Sequence, residues 1–276
     1  EERRVYMNIG FFTPPLVEGP RIVFFVPLPE FLNRLPIAMD MGNGQYGLPV
    51  TITVIGTWFC MLVLFLLFRT GTRKLELIPK NGLQTALESL YVFLDGLVEQ
   101  MIGSWKKKYF SFIATIFIFI LTSNLLTFFF PIPWPTFGPD GTVTVSPAFR
   151  APTMDLNTTV GLAIVVAVVF IGTSIKRNGV FGYAKGFLDP VPVMLPLNIV
   201  GELAKPVNMS MRLFGNMFAG SVIMGLLYKA APWVVPAPLH LYFDLFAAVV
   251  QSFVFTMLTM VHIQGALGDS TMEEER

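Results

Sequence analysis

Arg212, Asn216, Ser221, His240, Asp244 and Gln251 are the residues of this chain whose chemistry and placement most need a reason. Arg212 lies in the run Lys205-Pro-Val-Asn-Met-Ser-Met-Arg-Leu-Phe-Gly-Asn-Met-Phe-Ala-Gly220, which otherwise reads as a membrane span. A guanidinium stays charged at any ordinary pH, and a cation near the bilayer centre costs at least about 2.5–3.5 kcal/mol on insertion scales. A basic residue near a helix end avoids that cost by snorkelling to the interface. Beyond Arg212, however, apolar residues continue to the next charge, Lys229. Something must use the Arg212 charge, and the chemistry it suits is the handling of ions.

Helical periodicity gathers the other polar residues around it. At 100° per residue, Asn198, Glu202, Lys205, Arg212 and Asn216 fall within an arc of about 80°, with Asn208 at its edge and Ser221 off it. On the following helix His240, Asp244, Gln251 and His262 fall within about 40° of one another. Polar stripes on consecutive helices are costly against lipid, so they should face each other, a water-filled cavity or a partner protein. Interhelical hydrogen bonding, about 0.6 kcal/mol each, is reason enough for Asn198 and Asn208. Arg212 with Gln251, and Asp244, read instead as an ion path.

The elements that must hold these residues are membrane helices. Of 276 residues 54% are hydrophobic and 13% charged, against about 25% charged in soluble domains. Stretches of about 20 apolar residues occur near 50–69, 109–130, 156–175, 198–228 and 239–263. Residues 83–103 differ: Leu83, Leu87, Leu90, Leu94, Leu97, Val98 and Ile102 recur at helical spacing, away from Glu88, Asp95 and Glu99. That pattern describes an amphipathic helix lying in the membrane plane. The expected fold is an all-α integral membrane protein of five spans plus one in-plane helix, with residues 46–265 as its membrane domain.

Short-loop charge orients it. Arg69, Arg73, Lys74, Lys80 and Lys106–Lys108 flank the first two spans, and Lys176, Arg177 and Lys185 follow the third, whereas 131–155 holds only Arg150 among its basic residues. The positive-inside rule places 69–108 and 176–190 in the cytoplasm and 131–155 outside. Residues 1–45 then form an external N-terminal segment and 266–276 a cytoplasmic acidic tail. The external connections Pro131-Ile-Pro-Trp-Pro135 and Pro232-Trp-Val-Val-Pro-Ala-Pro238 are stiffened by proline.

Span 198–228 would be about 46 Å long at 1.5 Å per residue, more than a hydrocarbon core of about 30 Å. It should tilt or protrude, and Pro206 should kink it and free the Glu202 carbonyl. Gly215, Ala219 and Gly220 keep its surface shallow for a close neighbour.

Other functions find little support. A net charge of +1 gives no broad basic surface for nucleic acid. The single cysteine, Cys60, excludes an intrachain disulfide. No phosphate-binding glycine-rich loop of the Walker type occurs, so the chain should neither make nor hydrolyse ATP alone, and no cofactor is expected.

The run from Glu202 to Gly220 closely resembles the signature of subunit a of bacterial F-type ATP synthases, also called the ATPase subunit 6 family. So do Pro152-Thr-Met-Asp-Leu-Asn-Thr-Thr159 and Val250-Gln-Ser-Phe-Val-Phe-Thr-Met-Leu-Thr-Met260. The likeness spans about residues 45–265. It implies a multi-pass subunit of the bacterial inner membrane, N-terminus outside and C-terminus inside, with its last two helices tilted against a rotating c-ring. It further implies a peripheral-stalk subunit b, and H⁺ or Na⁺ moving through two offset half-channels. Arg212 matches the arginine separating those half-channels, and Asn216 and Gln251 match amides that orient it and line the path. Many relatives carry a carboxylate and a histidine at the positions of Ser221 and Asp244. This departure puts a histidine relay there in doubt and suits a transient Na⁺ path, since oxygen groups favour a hard cation. His240 and His262 remain able to relay protons, and Glu202, Lys205 and His262 are secondary candidates for the path. The alternative is a stand-alone ion-coupled secondary transporter, which would need broken helices meeting at the midplane.

Overall fold

The computed structural model describes residues 22–27, 39–40, 46–73, 76, 81–129, 133–137, 143–147, 151–188, 192–230, 238 and 241–268. Helices dominate: α1 Ile52–Gly71, α2 Gly82–Ile102, α3 Lys106–Phe129, α4 Leu156–Gly186 and α5 Leu195–Ala230. A π-helical turn, Leu241–Phe246, leads into α6, Ala247–Leu267. The membrane part is thus all-α, as hydropathy and periodicity required. Among the described residues four helical stretches, 53–71, 82–126, 156–186 and 241–267, are long and apolar enough to cross a membrane. Helix α5 has 36 residues but carries Glu202, Lys205 and Arg212, the charges that set it apart.

Short strands flank the helices, which composition had not suggested. β1 Ile22–Pro27, β2 Met39–Asp40 and β3 Tyr46–Thr51 form an antiparallel sheet in the order β1-β3-β2, and β3 runs directly into α1. β4 Pro133–Phe137 pairs with β5 Val143–Pro147 as a hairpin, from Pro133↔Pro147 to Phe137↔Val143. Proline read as a helix stop hid the strands. In a two-stranded hairpin each strand is an edge, so a proline without N–H is tolerated, and the intervening Val, Thr and Phe favour extended backbone. The rest of the N-terminal segment 1–45, and the tail beyond Gly268, lie outside the described residues.

α3, α4 and α6 form the centre: α3 and α4 both pack on α6, α5 lies along α4, and α1 along α3. Val98 and Ile102 of α2, Ile113 and Ile120 of α3, Phe170 of α4, Leu213 of α5 and Ile263 of α6 join in one buried cluster. α1 contributes little to it and shows Trp58, Phe65 and Leu62 outward, as a lipid-facing helix should. Lipid tails are as apolar as leucine, so polar fastenings matter more between such helices. Tyr109 Oη and Thr173 Oγ1 lie 2.8 Å apart. Thr173 spends its own proton on the Val169 carbonyl, so Tyr109 donates and ties α3 to α4. On α6, Ser252, Thr256 and Thr259 are buried, and each donates to the carbonyl four residues earlier.

A second fastening joins the ends of α1, α3 and α4. Asp155 caps α4 by accepting from the Asn157 N–H at 3.0 Å, and its other oxygen accepts from Thr53 Oγ1 of α1 at 2.8 Å. Thr153, on the turn before α4, donates to Asn124 of α3, both wholly buried. Cys60 Sγ meets Ser123 Oγ at 3.4 Å, which gives the lone cysteine a packing role. Thr53→Val, which deletes the hydroxyl, should weaken this junction by about 1–2 kcal/mol. The readout is the thermal midpoint of the purified complex, and an unchanged midpoint would show that Asp155 needs no partner from α1.

At its C-terminal end α2 is held by charge. Lys106 Nζ lies 2.6 Å from Asp95 and 3.0 Å from Glu99, so the acidic side of the amphipathic helix is gathered at its junction with α3.

Candidate functional site

α5 divides cleanly into two faces. Met209, Leu213, Met217 and Gly220 are buried toward the rest of the chain. The opposite face is exposed and mostly apolar, with Val200 62%, Leu203 64%, Val207 56% and Met211 51% accessible. Arg212 is exposed as well, but at the polar edge of this surface beside Asn208, roughly 100° or more around the helix from Leu203, Val207 and Met211. Among the described residues nothing hydrogen-bonds to it or forms an ion pair with it. A full charge exposed on a membrane helix, unmatched among the described residues, is presented to something beyond them.

Asn216, one turn along, is half-buried, and its Nδ2 is fully enclosed without a hydrogen-bond partner. Gln251 on α6 is also half-buried and makes no hydrogen bond among the described residues. Both amides therefore retain free hydrogen-bonding capacity, Asn216 one turn from Arg212 on the same stripe. α5 and α6 touch only sparingly, because α4 occupies the inner side of α5. Among the described residues no hydrogen bond or ion pair joins Arg212, Asn216 or Gln251 across the two helices, which leaves the partner or cavity expectation for this part of the stripes.

Ser221 sits at the point where α5 meets the π-helical turn. An added Cβ on Gly220 would lie 3.3 Å from Phe243 Cδ1, so this glycine admits the ring. Ser221 follows Gly220, and Asp244 follows Phe243, so each is one residue past the crossing. The Ser221 hydroxyl donates to the Phe218 carbonyl at 2.7 Å. Its proton is used, and its lone pairs remain available to a cation. The Asp244 side chain and the whole of His240 lie outside the described residues. One expectation needs correcting: the uniform 100° phase that aligned Asp244 with Gln251 and His262 does not carry through Leu241–Phe246. The π turn accommodates more residues per turn than an α-helix, so the segment before Ala247 is rotated relative to α6.

The secondary candidates do converge. Glu202 Oε2 and Lys205 Nζ pair at 2.6 Å, Lys205 Nζ stands 5.3 Å from the Phe170 ring centroid, and His262 stacks 5.5 Å from that ring. Helices α4, α5 and α6 thus bring Glu202, Lys205 and His262 around one phenylalanine. Tyr183 Oη, directed at Glu202 Oε1 across 3.4 Å, joins the group and was missed from sequence. A tyrosine after a charged stretch has no periodic signal that reveals its partner. Asn124 was missed for the same reason: one amide in an apolar run looks like any interhelical bond until its burial is seen. Among the described residues no group of His, Cys, Asp and Glu could hold a metal ion.

Comparison with known proteins bears directly on this arrangement. A family model described as ATP synthase A chain matches residues 54–264. The chain is 57% identical over 268 residues, 97% of its length and 91% of the relative's, to the sodium ion specific ATP synthase subunit a of Propionigenium modestum. It is 36% identical over 216 residues, 78% of its length and 90% of the relative's, to ATP synthase subunit a of Moorella thermoacetica. It is 34% identical over 245 residues, 87% and 96% of the two chains, to ATP synthase subunit a 3 of Pelobacter propionicus. Matches of this extent, over the helices that carry Arg212, Asn216 and Gln251, show that the chain belongs to the ATP synthase A chain family.

Proposed function

We propose that this chain provides two offset half-channels through which Na⁺ reaches and leaves a rotating c-ring, with Arg212 as the electrostatic divide between them. Family membership makes it an ion-translocating, non-catalytic membrane subunit that works against the c-ring, and it removes the stand-alone transporter. The observation that carries the finer reading is Arg212, exposed on α5 and unpaired among the described residues. A fixed cation there favours the ionised form of a carboxylate passing on the ring, so each site unloads as it arrives. The same charge repels a cation taking the short way through. Asn216 and Gln251, with unused amide capacity, orient the guanidinium and line the path.

Na⁺ is favoured over H⁺ on two grounds. The relative that shares 57% identity is named as sodium ion specific. Ser221, with its proton committed to Phe218, offers oxygen lone pairs beside the segment that bears Asp244, and oxygen donors suit a hard cation. Glu202, Lys205 and His262 line the path at the other end of α5, and His240 is a further candidate for the path. The topology that fits the loop charges puts the N-terminus outside and the C-terminus in the cytoplasm of a bacterial inner membrane, with α2 in the membrane plane. Peripheral-stalk subunit b is the further partner.

The test is ATP-driven uptake of radioactive Na⁺ into vesicles holding the whole complex, with and without a protonophore. Uptake that persists or rises with protonophore is expected, since collapsing the proton gradient removes only back-pressure. Uptake abolished by protonophore would transfer the role to H⁺ and direct attention to His240 and His262.

A further inference from the structure

α4 is longer than a bilayer requires, and it breaks where it would leave one. Residues 156–178 make about 34 Å of helix at 1.5 Å per residue, enough for a hydrocarbon core of about 30 Å. Gly179 then takes φ 71° and ψ 165°, a conformation that only glycine adopts without strain. Residues 180–186 therefore continue on a new axis.

One side of this short piece is tied to α5. Asn198 Nδ2 donates to the Phe187 carbonyl at 2.9 Å, and Tyr183 packs edge-on against Phe187 with centroids 5.0 Å apart. The other side is open: Phe181 is 92% accessible, Val180 66%, and Val193, on the turn before α5, 83%. Phe181 and Lys185 are four residues apart and share a face. From residue 176 to 189 the charged side chains are Lys176, Arg177 and Lys185 against the single carboxylate of Asp189, so the segment is net cationic. An aromatic tip on a net-cationic segment just past a bilayer's length of helix matches the pattern of an interfacial anchor on anionic lipid.

We propose that residues 176–188 form a foot in the lipid headgroup layer, with Phe181 immersed at the acyl boundary and Lys176 and Lys185 on anionic phosphates. The foot braces the start of α5 through Asn198, and so steadies the tilted helix that presents Arg212. The occupant is an anionic lipid surface and not a stalk protein, because the segment is net cationic while its tip is apolar and exposed.

The experiment uses the purified complex carrying Phe181→Trp in vesicles that mix phosphatidylcholine with phosphatidylglycerol, one or the other brominated in the upper acyl chain. Emission of the unaltered complex is subtracted. Quenching of the added emission is expected, stronger from brominated phosphatidylglycerol than from brominated phosphatidylcholine. Lys185→Gln in the same background should lower that preference by up to about fivefold. Emission that is unquenched and red-shifted would place the tip in water, and unquenched blue-shifted emission would place it under a protein partner. Either overturns the proposal, as does equal quenching by the two lipids. If tryptophan disturbs assembly, Phe181→Cys bearing a spin label in a Cys60→Ser background reads the same depth with the same outcomes.

Discussion

Replacing Arg212 with alanine is expected to reduce ATP synthesis coupled to ion flow to background while hydrolysis by the soluble sector continues. The size of the effect follows from electrostatics. A unit charge 4 Å from a carboxylate, at an effective dielectric of 20, contributes about 4 kcal/mol, or about 3 units of the carboxylate's pKa. Without it a ring site would pass α5 still neutralised, because no other cation lies between Lys205 and Lys229 to favour the empty, ionised state. Arg212→Lys keeps the charge but loses the planar fork, which two flanking amides can orient, so a small residual coupling is expected. Reconstituted vesicles given an imposed ion gradient provide the readout. Full synthesis by Arg212→Ala would sink the assignment of Arg212 as the divide.

Gly220→Val should be nearly as damaging, for a steric reason. The first added carbon already lies 3.3 Å from Phe243 Cδ1 and 3.5 Å from Cγ, so the γ-methyls of valine drive the ring or the π-helical turn away from α5. Overpacking of this kind costs about 1–3 kcal/mol. It also separates Ser221 from the segment bearing Asp244, one residue past the contact on each side. Ion flux is expected to fall by at least about tenfold, the equivalent of 1.4 kcal/mol, while assembly persists. Phe243→Ala combined with Gly220→Val relieves the clash and should restore much of the flux. If the double variant is no better than Gly220→Val alone, the crossing is not what limits ion passage. Gly220→Ala is the graded control, since an aromatic ring yields a few tenths of an ångström cheaply.

These two predictions differ in how far ahead of the structure they could be made. Arg212 was visible as a charge in an apolar run, because burial of a cation is costly whatever the fold. Gly220 was visible only as one of several small residues; that it faces Phe243, and not lipid, depends on two segments more than twenty positions apart.

The same division holds through the molecule. Local rules located the helices, since apolar length and the 3.6-residue period act within one segment. The expected stretches 109–130 and 156–175 lie on α3 and α4, and 83–103 on α2. They missed the break at Gly179, because a glycine in a helical pattern can stay helical or turn left-handed, and its surroundings choose. Pro206, where a kink was expected, lies inside α5. They missed the π turn, because periodicity assumes the pitch that it is meant to detect, and so they misjudged how Asp244 relates in phase to Gln251. Chain chemistry alone established that a charge must be used inside a membrane, by amides and oxygen groups nearby. Packing established that the charge stays uncovered: α4 occupies the inner side of α5, and Arg212 remains exposed among the described residues, open to whatever the complex sets against it. The reason is that solvation cost belongs to a residue, whereas direction belongs to the contacts its helix makes.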